Sequence, residues 1–177
     1  MNDRRAFLGL AGAGAVGLLL LGRSGHSAPN ICFAVAHSPE QWRDLLGNER
    51  YAVLREAATE RPFSSPLLNE HRKGTFVCAG CALPLFSSTT KFESGTGWPS
   101  FWKPLAHAVI TRSDHSLMME RTEVLCMRCG GHLGHVFDDG PKPTGLRYCM
   151  NGLALKFRPG SIAKATILSV PRLPGAA

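Results

Sequence analysis

The sequence predicts an α+β fold that is mainly β, with two short N-terminal helices against an antiparallel β body. A helix-start signal and an apolar period of about 3.6 residues precede Arg61. After that residue, short apolar or alternating segments are separated by Gly, Pro, Ser and Asp at hairpin-like intervals. Two C-x2-C motifs lie inside this second region and predict that a metal ion joins two of its turns.

The composition fits one packed domain and excludes some classes of protein. The chain has 177 residues, of which 44% are hydrophobic and 19% charged. Lys and Arg outnumber Asp and Glu by 20 to 13, a formal charge of +7, but no basic run exceeds two residues. A nucleic-acid partner is therefore not expected. Six cysteines are too few for a disulfide-dense scaffold. We expect the protein to be a monomer.

The first residues have the pattern of an export signal. Arg4 and Arg5 precede Phe-Leu and a Gly/Ala-rich apolar run over residues 6–22, which is typical of a twin-arginine signal. We therefore predict an exported, periplasmic protein that engages the twin-arginine translocation machinery. The alternative is a retained N-terminal membrane anchor.

The cleavage site is predicted from the small-x-small pattern that precedes such sites. Ala34-Val35-Ala36 fits best, so residues 1–36 form the predicted signal peptide and residues 37–177 a single mature domain. Cleavage after Ala28 is the alternative. Only the alternative keeps Cys32 in the mature chain.

Two consecutive helices are predicted at the start of the mature domain. Ser38 is the N-cap of the first, with Pro39 at its first position and Gln41 completing a capping box. Apolar residues at i, i+3 and i+4 form one face, and Gly47 ends the helix. A second helix is predicted over residues 48–58.

The β region is predicted from short segments rich in apolar and β-branched residues. Turn residues between them make antiparallel pairing the expected arrangement. The predicted strands are Thr75–Cys78, Leu83–Phe86, Ala108–Arg112, Leu117–Met119, Thr122–Leu125, Val136–Asp138, Leu146–Met150, Leu153–Phe157 and Thr166–Val170.

The two C-x2-C motifs have the spacing of a zinc site. Cys78 and Cys81 form one motif, and Cys126 and Cys129 form the other. Each motif presents two thiolates from one turn, so the pair completes a closed tetrahedral site for one structural zinc ion per chain. Two structural disulfides or a redox-active C-x2-C are the alternatives.

One cysteine of the predicted mature domain, Cys149, lies outside the metal set. On a strand its side chain shares a face with Arg147 and Asn151, because the side-chain period is two. A neighbouring cation lowers a thiol pKa and favours the reactive thiolate. We therefore predict a reactive Cys149, with an inert buried cysteine as the alternative.

Acid–base and aromatic residues accompany this cysteine. His132, His135 and Asp139 precede it on a glycine-punctuated segment, and a nucleophile near such groups is the general pattern of covalent catalysis. Trp98 and Phe101 form a candidate aromatic wall for a substrate. Core packing is the alternative for Phe101.

Taken together, these segments resemble the methionine sulfoxide reductase B family. The resemblance extends from about Ser38 to Phe157. It implies two antiparallel sheets with N-terminal helices and an oxidoreductase that reduces the R-epimer of methionine sulfoxide in proteins or peptides. The matching stretches are "TERPFSSPLL", "GTFVCAGCALPLF", "KFESGTGWPSFW" and "EVLCMRCGGHLGHVFDDGPKPTGLRYCMNGLALKF".

The resemblance also implies roles for individual residues. Cys149 is implied to be the nucleophile, which becomes a sulfenic acid, and Trp98 to line the pocket for the substrate methyl group. The C-x2-C cysteines match the zinc site of many family members. The residues implied to surround the sulfoxide and the thiolate are His132, His135, Asp139, Arg147 and Asn151.

One position departs from the family pattern. Thr96 stands where family members often carry a resolving cysteine, so a disulfide from Cys149 to this position is impossible. Either Cys32 resolves the sulfenic acid, or a small thiol or thioredoxin-like donor reduces it directly.

Two other functions compete with this interpretation. The first is a cysteine hydrolase that uses Cys149 with a His and an Asp or Asn. It would need an oxyanion hole, and no helix-capping Gly segment follows Cys149. The second is a non-enzymatic zinc-ribbon binding module, in which Cys149 would be dispensable.

Overall fold

The fold is that of a computed structural model, which describes residues 32–116 and 119–160. The predicted signal peptide up to position 31 and the predicted strand at 166–170 lie outside these residues, as do two residues of the predicted strand at 117–119. Among the helices of the described residues, none combines the length and the apolar character that a membrane span requires.

The N-terminal region forms the element α1 (Pro39–Glu56), which consists of two helical segments that meet at Gly47. Its start is confirmed, because Ser38 and Gln41 exchange the two hydrogen bonds of a capping box. Gly47 has φ 70° and ψ 166°, which is not a helical conformation, so the first helical segment ends at this glycine as predicted and the second follows directly. Ala57, in the left-handed conformation, caps the helix C-terminus.

Strands and short 3-10 turns make up the rest of the described chain. The turns cover residues 66–69, 88–90 and 152–154. The strands are β1 (Gly74–Cys78), β2 (Pro84–Ser87), β3 (Lys91–Phe92), β4 (Ser100–Phe101), β5 (Val109–Asp114), β6 (Arg121–Cys126), β7 (His132–Phe137), β8 (Arg147–Met150) and β9 (Leu155–Pro159).

The strands form two antiparallel sheets, which confirms the predicted fold class. The smaller sheet has the order β2-β1-β9, and the larger has the order β3-β4-β8-β7-β6-β5. β3 and β4 were not predicted, since two-residue strands leave no measurable periodicity. β7 begins at His132 rather than at Val136, because histidine and glycine are weak strand formers and tertiary pairing determines its start.

Aromatic side chains join the two sheets in the core. The Phe101 ring on β4 stacks on Phe86 at 4.4 Å and meets Phe76 of the smaller sheet edge-on at 4.9 Å. Phe101 has no exposed surface, so the prediction that it lines a substrate wall is corrected. Its ring packs the core behind the sheet instead.

Candidate active site and metal centre

A row of polar side chains crosses the larger sheet near its centre. Cys149 on β8 is paired with Ser100 on β4 and, on its other side, with His135 on β7. His135 is in turn paired with Glu123 on β6, and Glu123 with Arg112 on β5. Directly opposed residues of antiparallel strands project from the same face. Strand pairing therefore brings the predicted nucleophile beside a predicted acid–base residue.

Gly134 allows β7 and β8 to approach closely at this row. A Cβ atom at Gly134 would overlap the carbonyl oxygen of Cys149 and would lie 3.0 Å from the Cα of Met150. Glycine is therefore the residue that fits between the strands that carry Cys149 and His135.

Cys149 opens into a small cavity. The cavity has a volume of about 140 Å³, which is below the roughly 300–1,000 Å³ of pockets for drug-sized ligands. It has room for a side chain rather than for a length of polypeptide. The residues that line it are Thr59, Trp98, Arg121, Gly134, His135, Phe137, Cys149 and Asn151.

Burial and hydrogen bonding act in opposite directions on the Cys149 thiol. Burial raises the pKa of Cys149, while the Thr96 hydroxyl, the Arg147 cation and Ser100 lower it, and the pKa stays above its ordinary value. The expected net lowering by Arg147 is therefore wrong, because desolvation outweighs the cation. The Oγ1 atom of Thr96 lies 3.8 Å from the Cys149 sulfur, so position 96 does face the thiol.

An ion-paired carboxylate that the sequence did not reveal holds His135. Asp114 at the end of β5 bonds the Nε2 atom of His135 at 2.8 Å and accepts a hydrogen bond from Arg121 at 2.7 Å. Burial lowers the pKa of His135, and Asp114 opposes this without cancelling it. Backbone and side-chain hydrogen bonds from Ser116 and His135 hold the pKa of Asp114 well below its usual range. The imidazole is thus oriented by an anion.

A β-bulge brings His132 to the same face as His135. The pairing of β6 with β7 skips Leu133, so β7 carries one extra residue there. Two residues three apart would otherwise point to opposite faces of a strand, yet the two imidazole rings lie 5.5 Å apart. His132 is buried and its Nδ1 atom bonds Glu123 at 2.6 Å.

Glu123 stays ionised beneath these histidines. Burial raises the pKa of Glu123, but hydrogen bonds from His132 and Arg112 outweigh it, so the pKa lies below its usual value. The carboxylate therefore orients His132, much as Asp114 orients His135.

Asp139 pairs with Arg147 rather than with a histidine. Its two carboxylate oxygens accept hydrogen bonds of 2.8 Å from Nε and Nη2 of Arg147, and this bond lowers the pKa of Asp139. The guanidinium carbon also lies 4.3 Å from the centroid of Phe137, on its ring face. Asp139 thus fixes the cation beside Cys149, and the carboxylate that contacts His135 is Asp114 instead.

Asn151 and Trp98 are held by one segment, which contains Glu60. The Asn151 side chain accepts a hydrogen bond from the Glu60 N–H at 3.0 Å and donates one to the carbonyl of Leu133 at 3.3 Å. Trp98 donates its Nε1–H to the Glu60 carbonyl at 3.2 Å. The buried Glu60 carboxylate accepts the N–H groups of Gly152 and Leu153. Glu60 therefore positions one wall of the cavity.

The four C-x2-C cysteines meet as predicted, at the ends of the two hairpin turns. Their sulfurs all lie within 4.8 Å of one another, and the distances across the motifs are 3.7 Å (Cys78 to Cys129) and 3.5 Å (Cys81 to Cys126). A tetrahedral ion with bonds of about 2.3 Å places its sulfurs about 3.8 Å apart. A disulfide needs about 2.05 Å, so the geometry suits a metal ion.

The helix α1 packs against this metal centre. The Trp42 ring lies 3.4 Å from where a Cβ atom of Gly80 would be, and Arg55 donates to the Cys129 carbonyl at 2.9 Å. Leu54 contacts Gly131 in the same way, where a larger residue would meet its side chain at 2.8 Å. The metal centre is therefore coupled to the main core.

The structure does not bring Cys32 to Cys149. Cys32 is exposed and forms no disulfide. The adjacent Phe33 ring packs against Gly130 of the second motif, and the Val35 N–H donates to the Arg128 carbonyl at 3.1 Å. Cys32 therefore lies at the metal end of the described chain.

Comparison with known proteins agrees with this geometry. A family model described as the SelR domain matches residues 46–159. A protein of Leptospira interrogans named peptide methionine sulfoxide reductase MsrB is 54% identical over 127 residues, which cover 71% of this chain and 97% of that protein. The chain belongs to the MsrB family.

Other MsrB family members are equally similar. The protein of that name from Bradyrhizobium diazoefficiens is 59% identical over 126 residues, covering 71% of this chain and 91% of its own length. The one from Methanosarcina barkeri is 54% identical over 126 residues, covering 71% and 89%. The match thus covers nearly all of these relatives.

Proposed function

We propose that this protein reduces the R-epimer of methionine sulfoxide in proteins and peptides to methionine, with Cys149 as the nucleophile. The observation that carries the proposal is the opposition of Cys149 and His135 across β8 and β7, at a side-chain-sized cavity bounded by Trp98, in a member of the MsrB family. The cavity supplies a nucleophile, an acid and an aromatic surface to one bound side chain.

The reaction moves one oxygen atom between two sulfurs. The Cys149 thiolate attacks the sulfoxide sulfur and forms an S–S bond, while the sulfoxide oxygen takes up a proton. The protonated oxygen then passes to the Cys149 sulfur, so a new S–O bond forms there as the S–S bond and the substrate S–O bond break. The substrate sulfur gains two electrons and leaves as the thioether of methionine. The Cys149 sulfur loses two electrons and ends as a sulfenic acid that carries the oxygen and one proton. The atoms and electrons of the thiol and the sulfoxide therefore equal those of the methionine and the sulfenic acid.

His135 supplies the proton to the sulfoxide oxygen. Its Nε2 atom faces Asp114, so in the protonated imidazolium the Nδ1–H remains for the substrate. The carboxylate stabilises the imidazolium and keeps its orientation. Arg147, fixed by Asp139, favours the thiolate that the attack requires.

Trp98 binds the substrate methyl group through its apolar ring. It lines the cavity, and its indole N–H is already used by the Glu60 carbonyl, so the ring offers shape rather than a hydrogen bond. Trp98→Ala should raise KM for the sulfoxide by about tenfold with a smaller change in kcat. An unchanged KM would refute this role.

An external thiol recycles the enzyme. Position 96 offers a hydroxyl to Cys149, and Cys32 lies at the metal end. A first thiol condenses with the sulfenic acid to a mixed disulfide and water, and a second releases Cys149 and an external disulfide. With excess sulfoxide and no reductant, the protein should give about one methionine per chain and one added oxygen on Cys149 by mass spectrometry. A Cys32–Cys149 disulfide would contradict the scheme.

The four clustered cysteines bind one structural zinc ion. Four thiolates are the donor set typical of closed zinc sites, and the sulfur spacing fits a tetrahedral ion. Such an ion would hold the turn after β1 to the turn after β6 and has no open position for substrate. It therefore contributes to folding rather than to the reaction.

We also propose export by the twin-arginine route to the periplasm, on the pattern of the first residues. Phe33 and Val35 contact the second C-x2-C motif and the glycines after it, at residues 126–131. These contacts support cleavage after Ala28 over cleavage after Ala36, because only the earlier cleavage leaves Phe33 and Val35 in the mature protein. The N-terminal sequence of the exported protein distinguishes the two sites. An Arg4→Lys, Arg5→Lys variant should accumulate as precursor.

One experiment separates the reductase from the other functions. Reduction of both sulfoxide epimers is measured with the native protein and with Cys149→Ser, beside thioester and peptide hydrolysis. Loss of R-epimer reduction in the variant, with no hydrolysis by either protein, is the expected result. Hydrolysis that depends on Cys149 would favour a cysteine hydrolase, and no turnover in any assay would favour a zinc-ribbon binding module.

A further inference from the structure

A second and larger cavity adjoins the one at Cys149. This cleft has a volume of about 660 Å³ and is lined by α1, by residues 59–67 and by residues 152–157. Thr59 lines both the cleft and the Cys149 cavity. The two cavities are therefore neighbours across one residue, although only the smaller holds reactive groups.

The segment 59–67 forms the ridge between the two cavities. Its Glu60 carbonyl holds Trp98 on one side, while Ser64 and Ser65 line the cleft on the other. Phe63 on this ridge is 70% exposed and has φ 62°. A non-glycine residue in that conformation is strained, and an exposed phenyl ring loses the benefit of burial. The ring is therefore available for contact with a ligand.

The ridge is fixed beside the cavity rather than free. The Phe63 N–H donates to the Gly97 carbonyl at 2.7 Å, and the ring lies 3.0 Å from where a Cβ atom of Gly97 would be. Gly97 immediately precedes Trp98. Phe63 is thus held against the residue that precedes Trp98 of the Cys149 cavity.

The cleft carries cations whose charge is available to a ligand. Arg61 and Lys156 line it, are exposed, and form no ion pair with another described residue. By contrast, Arg50 donates to the carbonyls of Leu153 and Leu155, and the Glu60 carboxylate is held by backbone N–H groups. Glu49 is the remaining carboxylate of the cleft.

We propose that the cleft binds the stretch of polypeptide next to the oxidised methionine, with Phe63 contacting its apolar side chains and with Arg61 and Lys156 favouring acidic ones. This deepens the proposed function, on which it rests. The Cys149 cavity accommodates one side chain, so the rest of a polypeptide substrate must lie outside it. The nearest concave surface is the cleft beyond Thr59, and its unpaired cations attract carboxylates.

The test compares a substrate that fits the cavity with substrates that extend beyond it. The first is N-acetyl-methionine-(R)-sulfoxide amide, and the others are nine-residue peptides with a central (R)-sulfoxide flanked by Ala, Asp or Lys. The native protein should show a higher kcat/KM for the peptides than for the amide. The Asp peptide should exceed the Lys peptide by about tenfold at low ionic strength, less at high salt.

Two variants then assign the effect to the cleft. Phe63→Ser should lower kcat/KM for the Ala peptide by about tenfold relative to the amide, and Lys156→Glu should remove or reverse the preference for Asp over Lys. The matched controls are Leu45→Ser on the exposed side of α1 and Lys103→Glu, an exposed lysine outside the cleft. Both controls should retain the native ratios.

The outcomes separate the two proposals. Equal kcat/KM for the amide and all peptides in the native protein would overturn the docking cleft while leaving the reductase intact. Equal losses on amide and peptides in Phe63→Ser would also overturn it, since they would show damage to the cavity or the fold. No reduction of any sulfoxide by the native protein would refute the proposed function itself, and with it the cleft.

Discussion

Two groups of cysteines share this fold, and their surroundings give them opposite chemistry. At the metal end, four sulfurs lie within 4.8 Å of one another on two turns that pack against α1. Cys149 lies outside this cluster, on β8 of the larger sheet, beside His135, Thr96 and Arg147. A thiolate surrounded by other thiolates needs a cation and becomes structural. A thiolate beside an acid and an open cavity can react.

The backbone explains the difference between these two regions. Each C-x2-C motif begins at the end of a strand, with Cys78 ending β1 and Cys126 ending β6, and continues into a turn. The N–H groups of these turns are satisfied locally, as when Gly130 donates to the Cys126 carbonyl at 2.9 Å. Cys149 lies inside β8, between β4 and β7, so its neighbours come from distant parts of the chain. Turns create local sites, and sheets assemble distant ones.

The largest effect is expected from the reactive cysteine. Cys149→Ser removes the nucleophile and should reduce R-sulfoxide reduction to less than a few per cent, because serine is a far weaker nucleophile at neutral pH. Its metal content and melting temperature should stay native. Metal analysis and thermal unfolding of the same sample check the second part. Substantial residual turnover would contradict the proposal that Cys149 reacts while the four clustered cysteines are structural.

Substitution of a cysteine in the four-cysteine cluster should affect metal content and stability first, the opposite of what is expected for Cys149→Ser. Cys126→Ser leaves only three thiolate ligands, so the protein should lose bound metal and melt lower by roughly 10 °C, before any specific effect on chemistry. Metal analysis of the native protein should give about one zinc per chain. A variant of native stability that lacks only activity would show that the cluster acts in the reaction.

A smaller effect is expected from Asp114, which acts through His135. The pKa of His135 is raised by Asp114 against the lowering effect of burial. His135 donates its proton only when protonated, so activity falls as pH rises through this pKa. Asp114→Asn removes the carboxylate charge and lowers the pKa further. The fall in kcat/KM should therefore occur at lower pH, with about tenfold less activity at pH 7.

The pH profile distinguishes this positioning role from a structural one. Asp44→Asn, an exposed position on α1, is the matched control and should leave the profile native. A lower but unshifted profile in Asp114→Asn would mean that the carboxylate supports only the fold at the end of β5.

The local signals in the sequence predicted the metal end better than the active site. A C-x2-C motif is contained in one turn, and the capping box of α1 in four residues, so both were predicted correctly. The partners of His135 and Trp98 come from Asp114 and Glu60, which no spacing connects to them. The successive pairing of β5, β6 and β7 brings Asp114 to His135, and Glu60 reaches Trp98 from the loop after α1.

Other differences have equally physical causes. Phe101 looks like a substrate contact beside Trp98, but alternation along β4 turns its ring into the core. His132 and His135 share a face only because of a bulge, which leaves no trace in the residue types of β7. The thiol pKa of Cys149 depends on burial, which a neighbouring Arg in the sequence does not report.

Thr96→Cys should cause the smallest change in reaction rate but the clearest change in the product formed at Cys149. The Thr96 Oγ1 lies 3.8 Å from the Cys149 sulfur, so a thiol at this position could reach the sulfenic acid with a small rotation and displace water to form a disulfide. Single-turnover methionine release should remain within about threefold of the native rate, since the attack on the sulfoxide is unaffected.

The chemical state of Cys149 after that single turnover decides whether position 96 can resolve the sulfenic acid. Without reductant, the native protein should gain one oxygen at Cys149, whereas Thr96→Cys should lose two hydrogens and both free thiols at the site. Thioredoxin-like donors should then reduce the variant, because a protein disulfide is their ordinary substrate. Ser113→Cys, which adds a thiol at an exposed position of β5, should behave as the native protein does. A persistent sulfenic acid in Thr96→Cys would mean that position 96 does not reach Cys149 in solution. The candidate active site would then lack the contact that most clearly separates Cys149 from the four clustered cysteines.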